Sequence, residues 1–146
     1  MFFFVNEATA NPIILYDGVC GLCDRFVAMV LRKDKRDQFR FASLQSAFAQ
    51  AILRRHSLEQ PALETICLVL DYETPQERLL TRSDAVIAVL RQLGGLWIAE
   101  AAIFRMVPRT LRDRLYDAVA RNRYRYFGRY DQCMVPHPRY REKFLE

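Results

Sequence analysis

Glycine, proline and long apolar runs are all scarce in this chain of 146 residues, which contains five glycines and six prolines. Because 51% of its residues are hydrophobic, the composition fits neither collagenous nor low-complexity nor disordered proteins. No stretch of about 18 consecutive apolar residues occurs, so we predict no membrane-spanning helix. We predict one globular domain over residues 1–146, with a core over about 12–95 and a helical extension over about 96–146.

Cysteine is also sparse, with four residues in the whole chain. The N-terminal apolar run is limited to Phe2 to Val5, which is shorter than the stretch of about 7 to 15 residues that a secretory signal requires. We therefore predict a cytoplasmic protein, in which thiols are normally kept reduced. A domain of this size builds a core without disulfide bridges, so a close cysteine pair indicates catalysis or metal binding.

The net charge of +5 is concentrated at one end, because residues 101–146 contain eleven basic and five acidic side chains. Basic and aromatic residues alternate over 121–127, as they do on some nucleic-acid-binding surfaces. At helical spacing, however, Arg121 and Arg125 lie in water and complement the dipole at the helix C-terminus. We therefore expect a solvated helix face and no nucleic-acid partner, and the oligomeric state is left open.

The apolar pattern predicts alternating strands and helices. Residues 13–16 form a continuous apolar run typical of a strand covered on both faces, and the run ends at the turn pair Asp17-Gly18. Helical spacing follows from Cys23, and a strand at 39–42 precedes a second helix ending near Arg55. Residues 65–70 and 78–81 are predicted to form a hairpin, and Ser83 is predicted to cap a helix that stops at Gly94-Gly95.

The rest of the chain is predicted to be helical, over about 96–106 and then from Pro108 to just before Gly128. Trp97, Ile98 and Ile103 are expected in the core. The inner face of the last helix is predicted to carry an apolar stripe of Leu111, Leu115, Val119 and Tyr126. The order β-α-β-α-β-β-α is that of a thioredoxin-like α/β core, here with a helical C-terminal extension.

Cys20 and Cys23 are three residues apart, where the first strand ends and the first helix begins. A thiol at a helix N-terminus can have its pKa lowered from about 8.5 to between about 3.5 and 7.5. We therefore predict that Cys20 lies at the exposed edge and attacks a substrate disulfide, while Cys23, one turn further inward, resolves the mixed disulfide. Asp17 is a candidate for proton transfer during exchange, or it merely shapes the turn.

The segment from Asp17 to Cys23 resembles the signature of the DCC family of predicted thiol-disulfide oxidoreductases, which is named for its Asp-x-x-Cys-x-x-Cys motif. Later segments are similar to that family's blocks in the same order: Phe39 to Gln45, Arg82 to Ala85, Pro108 to Tyr116, Arg121 to Gly128, Cys133 and Pro136. The resemblance implies a thioredoxin-like fold with Cys20 and Cys23 as the redox pair. We expect no cofactor.

The chain departs from thioredoxins and glutaredoxins at one position. Those proteins place a cis-proline before the strand that faces the cysteine pair, whereas this chain has Thr65 there and Pro61 lies too early. We predict Thr65 as a substrate contact. Ser83 and Asp84 resemble the helix start that holds the γ-glutamyl end of glutathione, although an ordinary helix cap explains them as well. The expected partners are a disulfide-containing protein or a low-molecular-weight thiol such as glutathione.

A zinc-stabilised binding module is the alternative from another functional class. Cys133 and His137 are four residues apart, so together with Cys20 and Cys23 they provide the ligands of a tetrahedral Cys3His site. Such a site would have to join a pair at the start of a helix to a distant tail, in a domain apolar enough to fold without metal. Outside a zinc site, Cys133 is either a third redox thiol that resolves Cys20 or a tail cysteine without a chemical role. Cys67 is predicted to be a core residue.

Overall fold

A computed structural model describes residues 11–18, 20–56, 66–72, 74–128 and 143–145. Within these ranges, helices and strands follow one another in this order: β1 (Ile13–Tyr16), α1 (Gly21–Lys33), β2 (Arg40–Ser43), α2 (Ala47–Arg55), β3 (Cys67–Leu70), β4 (Arg78–Thr81), α3 (Arg82–Leu93), α4 (Leu96–Met106), α5 (Arg109–Phe127) and β5 (Phe144–Leu145).

The five strands form one mixed sheet in the order β4-β3-β1-β2-β5. β1 pairs with β2 in parallel across the α1 crossover, and β3 pairs antiparallel with both β1 and β4. The predicted parallel start and the predicted hairpin are thus confirmed. The α/β fold is consistent with a thioredoxin-like core followed by a helical C-terminal part, as the order of elements predicts.

β1 is buried at all four positions because helices cover both faces of the sheet. Successive side chains of a strand point to opposite faces. Ile14 and Tyr16 accordingly pack in the same cluster as residues of α1 and α3, whereas Ile13 and Leu15 pack with residues of α2. This double cover explains why β1 is an uninterrupted apolar run in the sequence. The turn after β1 leads directly to the N-terminus of α1.

The turn that leaves α1 is organised by Asp34, which is buried. One of its carboxylate oxygens accepts from the backbone N–H of Phe39 at 2.9 Å, and the other accepts from that of Gln38 at 3.2 Å. These bonds satisfy backbone donors that the turn would otherwise bury without partners. They fix the start of β2, and with it the position of the β2 residues beside β1.

The C-terminal helices pack on α3. α4 and α5 both contact α3, and α5 also contacts α1. No described helix is both long and apolar enough to cross a bilayer. Trp97 packs against the cluster around Ile87 and Leu90, but Ile98 and Ile103 are exposed. The prediction that these two isoleucines belong to the core is therefore wrong.

The apolar stripe of α5 does not face inward as predicted. Leu111, Leu115 and Val119 are 49%, 58% and 50% exposed, and the side chain of Tyr126 lies outside the described part of the chain. Polar contacts join α5 to α3, since Asp113 accepts a hydrogen bond from Ser83. Leu115 and Val119 of the stripe line a cleft bounded by α3, α4 and α5.

β5 was not predicted, because the extension was expected to be helical throughout. Phe144 pairs with Phe41 in a parallel register, and their rings stack with centroids 5.2 Å apart. The ring of Phe144 also meets that of Tyr16 edge to face at 6.2 Å. The end of the chain thus contributes a strand and an aromatic side chain to the sheet that carries the cysteine pair.

Candidate active site

Cys20 is the N-cap residue of α1, with extended backbone angles of φ −95° and ψ 126°. Its backbone N–H donates to the carbonyl of Asp17 at 3.2 Å, which closes the turn between β1 and the helix. Its Sγ accepts from the backbone N–H of Cys23 at 3.5 Å. A sulfur in this position takes the place of the usual capping oxygen, where the N–H donor and the helix dipole favour a thiolate.

Cys20 is nevertheless fully buried, which corrects the prediction that it lies at an exposed edge. The N–H of Gly21 donates to the carbonyl of Gly128 at 3.1 Å, so the end of α5 lies against the start of α1. Cys20 also packs in the apolar cluster that includes Tyr16 and Ile66. Cys23, predicted to lie further inward, is 5% exposed and forms part of a cavity wall.

The two thiols are unequal because they share a hydrogen bond. This bond to Cys20 is the largest cause that raises the pKa of the Cys23 thiol far above its ordinary value, followed by burial and by the charge on Cys20. The charge on Asp17 raises the pKa further, against a backbone hydrogen bond from Asp17 that lowers it. These contributions favour the protonated form of the Cys23 thiol in the folded protein.

Asp17 is buried between the turn and β2. Its Oδ1 accepts from the Nε2 of Gln45 at 2.9 Å, and the Oε1 of Gln45 accepts from the N–H of Gly18 at 3.1 Å. Gln45 therefore satisfies both the carboxylate and the backbone of the turn. The sequence analysis did not identify Gln45 as a site residue. Its place in a segment similar to the DCC family was a signal for it, but the contact joins residues 28 positions apart.

Two predicted substrate contacts, Ser83 and Asp84, lie on α3 and interact with side chains of α5. Ser83 does not cap the helix as predicted, because α3 begins at Arg82 and Thr81 is its N-cap residue. The hydroxyl of Ser83 donates to Asp113 instead.

Asp84 forms an ion pair with Arg109 at 2.8 Å. A glutathione carboxylate at this helix start would meet the carboxylates of Asp84 and Asp113. Thr65 lies outside the described residues. The roles of these three predicted contacts stay predictions.

The alternative zinc site falls partly beyond the described ranges, since Cys133 and His137 are outside them. Among the described residues, no group of three or more cysteine, histidine or acidic side chains is placed to hold a metal ion. Cys67 is buried in β3 on the face of the sheet that packs with α2, which confirms it as a core residue.

The sequence is similar to proteins of one family over most of its length. A profile of the DCC1-like thiol-disulfide oxidoreductase family matches residues 14–129. The chain is 34% identical over 140 residues to YuxK of Bacillus subtilis, described as uncharacterized, and the match covers 96% of this chain and 98% of YuxK. It is 33% identical over 127 residues to a chloroplastic DCC family protein of Arabidopsis thaliana, which covers 87% and 71% of the two chains. No solved structure matches the chain. The chain therefore belongs to the DCC1-like thiol-disulfide oxidoreductase family.

Proposed function

We propose that the chain is an enzyme that exchanges dithiols and disulfides through Cys20 and Cys23. The observation that carries this proposal is the hydrogen-bonded pair at the start of α1, in which the Sγ of Cys20 accepts from the backbone N–H of Cys23. Membership of a family named for thiol-disulfide exchange supports the same chemistry. We therefore assign Cys20 as the nucleophile, because the N–H of Cys23 and the helix start favour its thiolate, and Cys23 as the resolving thiol.

The proposed reaction starts from a Cys20 thiolate and a protonated Cys23 thiol. The Cys20 thiolate attacks one sulfur of the substrate disulfide and expels the other, which takes up a proton as it leaves. The Cys23 thiol loses its proton and attacks the Sγ of Cys20, which forms the Cys20–Cys23 disulfide and releases the second half of the substrate as a thiol. The protein is oxidised by two electrons and the substrate disulfide is reduced by two.

Asp17 is proposed to accept the proton that Cys23 loses in the second step. Its charge acts on the Cys23 thiol, and its burial keeps the carboxylate out of bulk water. We expect Asp17→Asn to slow the resolving step about a hundredfold, the lower range for loss of a general base, and to leave the first step within a few-fold.

Rapid quenching, with mass measurement of the mixed disulfide on Cys20, separates the two steps. Gln45→Leu is the matched variant, because it removes the amide that holds Asp17 and keeps the carboxylate. If Asp17→Asn slows both steps equally, Asp17 only shapes the turn and does not accept the proton from Cys23.

The proposed substrates are a disulfide-containing protein or a low-molecular-weight thiol and its disulfide. Thr65, Ser83 and Asp84 are the proposed substrate contacts, and the cytoplasm is the proposed compartment. In the contacts described above, Ser83 and Asp84 interact with α5. Binding of a charged thiol at the start of α3 therefore requires these contacts to rearrange.

The proposal is tested by counting thiols in the native protein before and after mild oxidation. The chain has four cysteines, and two thiols should disappear together. Either Cys20→Ser or Cys23→Ser should abolish this loss, whereas Cys67→Ser, which alters a buried thiol on the opposite face of the sheet, should retain it. If the same sample contains stoichiometric zinc that thiol modification releases, the result supports the metal-binding alternative and contradicts the proposed exchange function.

A further inference from the structure

A cavity of about 150 Å³ reaches the cysteine pair from the side of the C-terminal helices. Cys23 forms part of its wall. The remaining wall is largely apolar and comes from α1, α3, α5 and the residue before β3, including Leu22, Phe26, Ile66, Val86 and Val119. Cys20 is fully buried and is not among the described lining residues, so a molecule in this cavity contacts Cys23, whose backbone N–H donates to the Sγ of Cys20.

The chemistry of the wall selects among disulfides. Among the residues that the structure describes, Tyr116 is the one lining side chain with a hydroxyl group, and that hydroxyl accepts from the backbone N–H of Ile66 at 2.9 Å. None of the described lining side chains is charged. A carboxylate or ammonium group that entered the cavity would lose its hydration without gaining an ionic partner, whereas an apolar group gains by leaving water. The cavity therefore disfavours charged disulfides such as that of glutathione.

The cavity adjoins a larger cleft of about 310 Å³ that is bounded by α3, α4 and α5. The two share Val86, Tyr116 and Val119. The cleft adds apolar side chains such as Phe104 and Leu115, together with Ser83 and with Arg112, which forms an ion pair with Asp84 at 3.5 Å. The cleft is of the size that small-molecule ligands occupy, and the smaller cavity beside it has Cys23 in its wall.

We propose that a small, uncharged, apolar disulfide binds in this cavity and is reduced by Cys20 and Cys23. The proposal rests on the proposed exchange function and assigns its substrate class. The bound disulfide lies against Cys23, one hydrogen bond away from Cys20. The Cys20 thiolate forms a bond to the nearer substrate sulfur and breaks the substrate S–S bond. The departing sulfur takes a proton, and Cys23 then closes the protein disulfide and expels the second thiolate.

The test compares two chromogenic disulfides of similar size and opposite polarity. Uncharged 4,4′-dithiodipyridine and dianionic 5,5′-dithiobis(2-nitrobenzoate) are each mixed with the reduced protein, once native and once unfolded in denaturant. The unfolded chain gives the intrinsic ratio of the two rates. We expect the native protein to shift this ratio at least about tenfold toward the uncharged reagent, as apolar pockets discriminate by about 10-fold or more.

Val119→Trp provides the structural arm of the test. Val119 lines both cavities and is half exposed, so an indole here narrows the route without entering the core. We expect this variant to slow the uncharged reagent at least about tenfold. Leu111→Trp is the matched control, since Leu111 lies on the same helix, is exposed to the same degree and belongs to neither wall. It should react like the unaltered protein.

The outcomes separate the two proposals. If two thiols are lost but the native ratio equals the unfolded ratio and Val119→Trp slows neither reagent, the cavity is not the substrate site and the exchange function stands. If neither reagent oxidises the native pair, both proposals are wrong. Thermal unfolding of both tryptophan variants checks that slower reaction does not reflect a damaged fold.

Discussion

A Cys23→Ser variant mixed with a disulfide substrate should retain half of that substrate on Cys20. The first step needs only the Cys20 thiolate, which the N–H of residue 23 and the helix start favour independently of the side chain at that position. The second step needs the sulfur of Cys23 and cannot occur with serine. Turnover should therefore fall to the uncatalysed rate while one equivalent of substrate is consumed.

Intact-protein mass spectrometry and peptide mapping measure this adduct and locate it. Cys20→Ser is the reciprocal variant and should form an adduct far more slowly, because burial still raises the pKa of the Cys23 thiol after the contributions of Cys20 are removed. Cys67→Ser should turn over normally. Rapid adduct formation at residue 23 in Cys20→Ser would reverse the two roles, an outcome that matters because Cys23, rather than Cys20, lines the cavity.

The reduced protein should lose stability at alkaline pH faster than a variant without Cys23. The hydrogen bond to Cys20 and burial raise the pKa of Cys23 in the folded state, whereas an unfolded thiol titrates near about 8.5. Above that pH the unfolded chain releases a proton that the folded protein retains, so each further pH unit lowers the free energy of unfolding by about 1.4 kcal/mol. Below about pH 8.5 the Cys23 thiol is protonated in both states, so its contribution to the stability of the folded protein is fully present.

Denaturant titrations of the reduced protein between pH 7 and pH 10 measure the effect. The quantity compared is the slope of the free energy of unfolding against pH, because Cys23→Ala also removes a buried sulfur and lowers this free energy at every pH. We expect the slope of the reduced protein to exceed that of Cys23→Ala by about 1.4 kcal/mol per unit above pH 8.5. The oxidised protein, which has no thiol at either position, should also lack the excess. Equal slopes against pH for the reduced protein and Cys23→Ala would contradict a raised pKa of Cys23 in the folded state.

Much of the fold was predictable because local patterns determine it. The uninterrupted apolar residues of β1 indicate a strand covered on both faces, and the turn pair after it leads directly to Cys20 at the start of α1. Gly94 ends α3 with a positive φ of 76°, as predicted for a glycine at a helix stop. These features depend on neighbours within a few positions, and a single sequence displays them.

The burial of the site was not predictable in the same way. Cys20 is covered because the carbonyl of Gly128 meets the N–H of Gly21, across more than a hundred positions of chain. The bond between Gln45 and Asp17 is likewise long-range. Periodicity identifies the apolar stripe that includes Leu115, but it does not reveal which surface covers a stripe. The interaction of Ser83 with Asp113 is a tertiary contact that a capping pattern does not contain.

The last strand has a practical consequence for handling the protein. Leu145 pairs with Ala42, next to the strand that leads into the active-site turn. An affinity tag fused after residue 146 therefore begins one residue beyond a sheet edge, where it can disturb the stacking of Phe144 on Phe41. A shortened version that stops after α3 would remove the ring of Phe144 that packs against the core and leave β2 as an unpaired sheet edge.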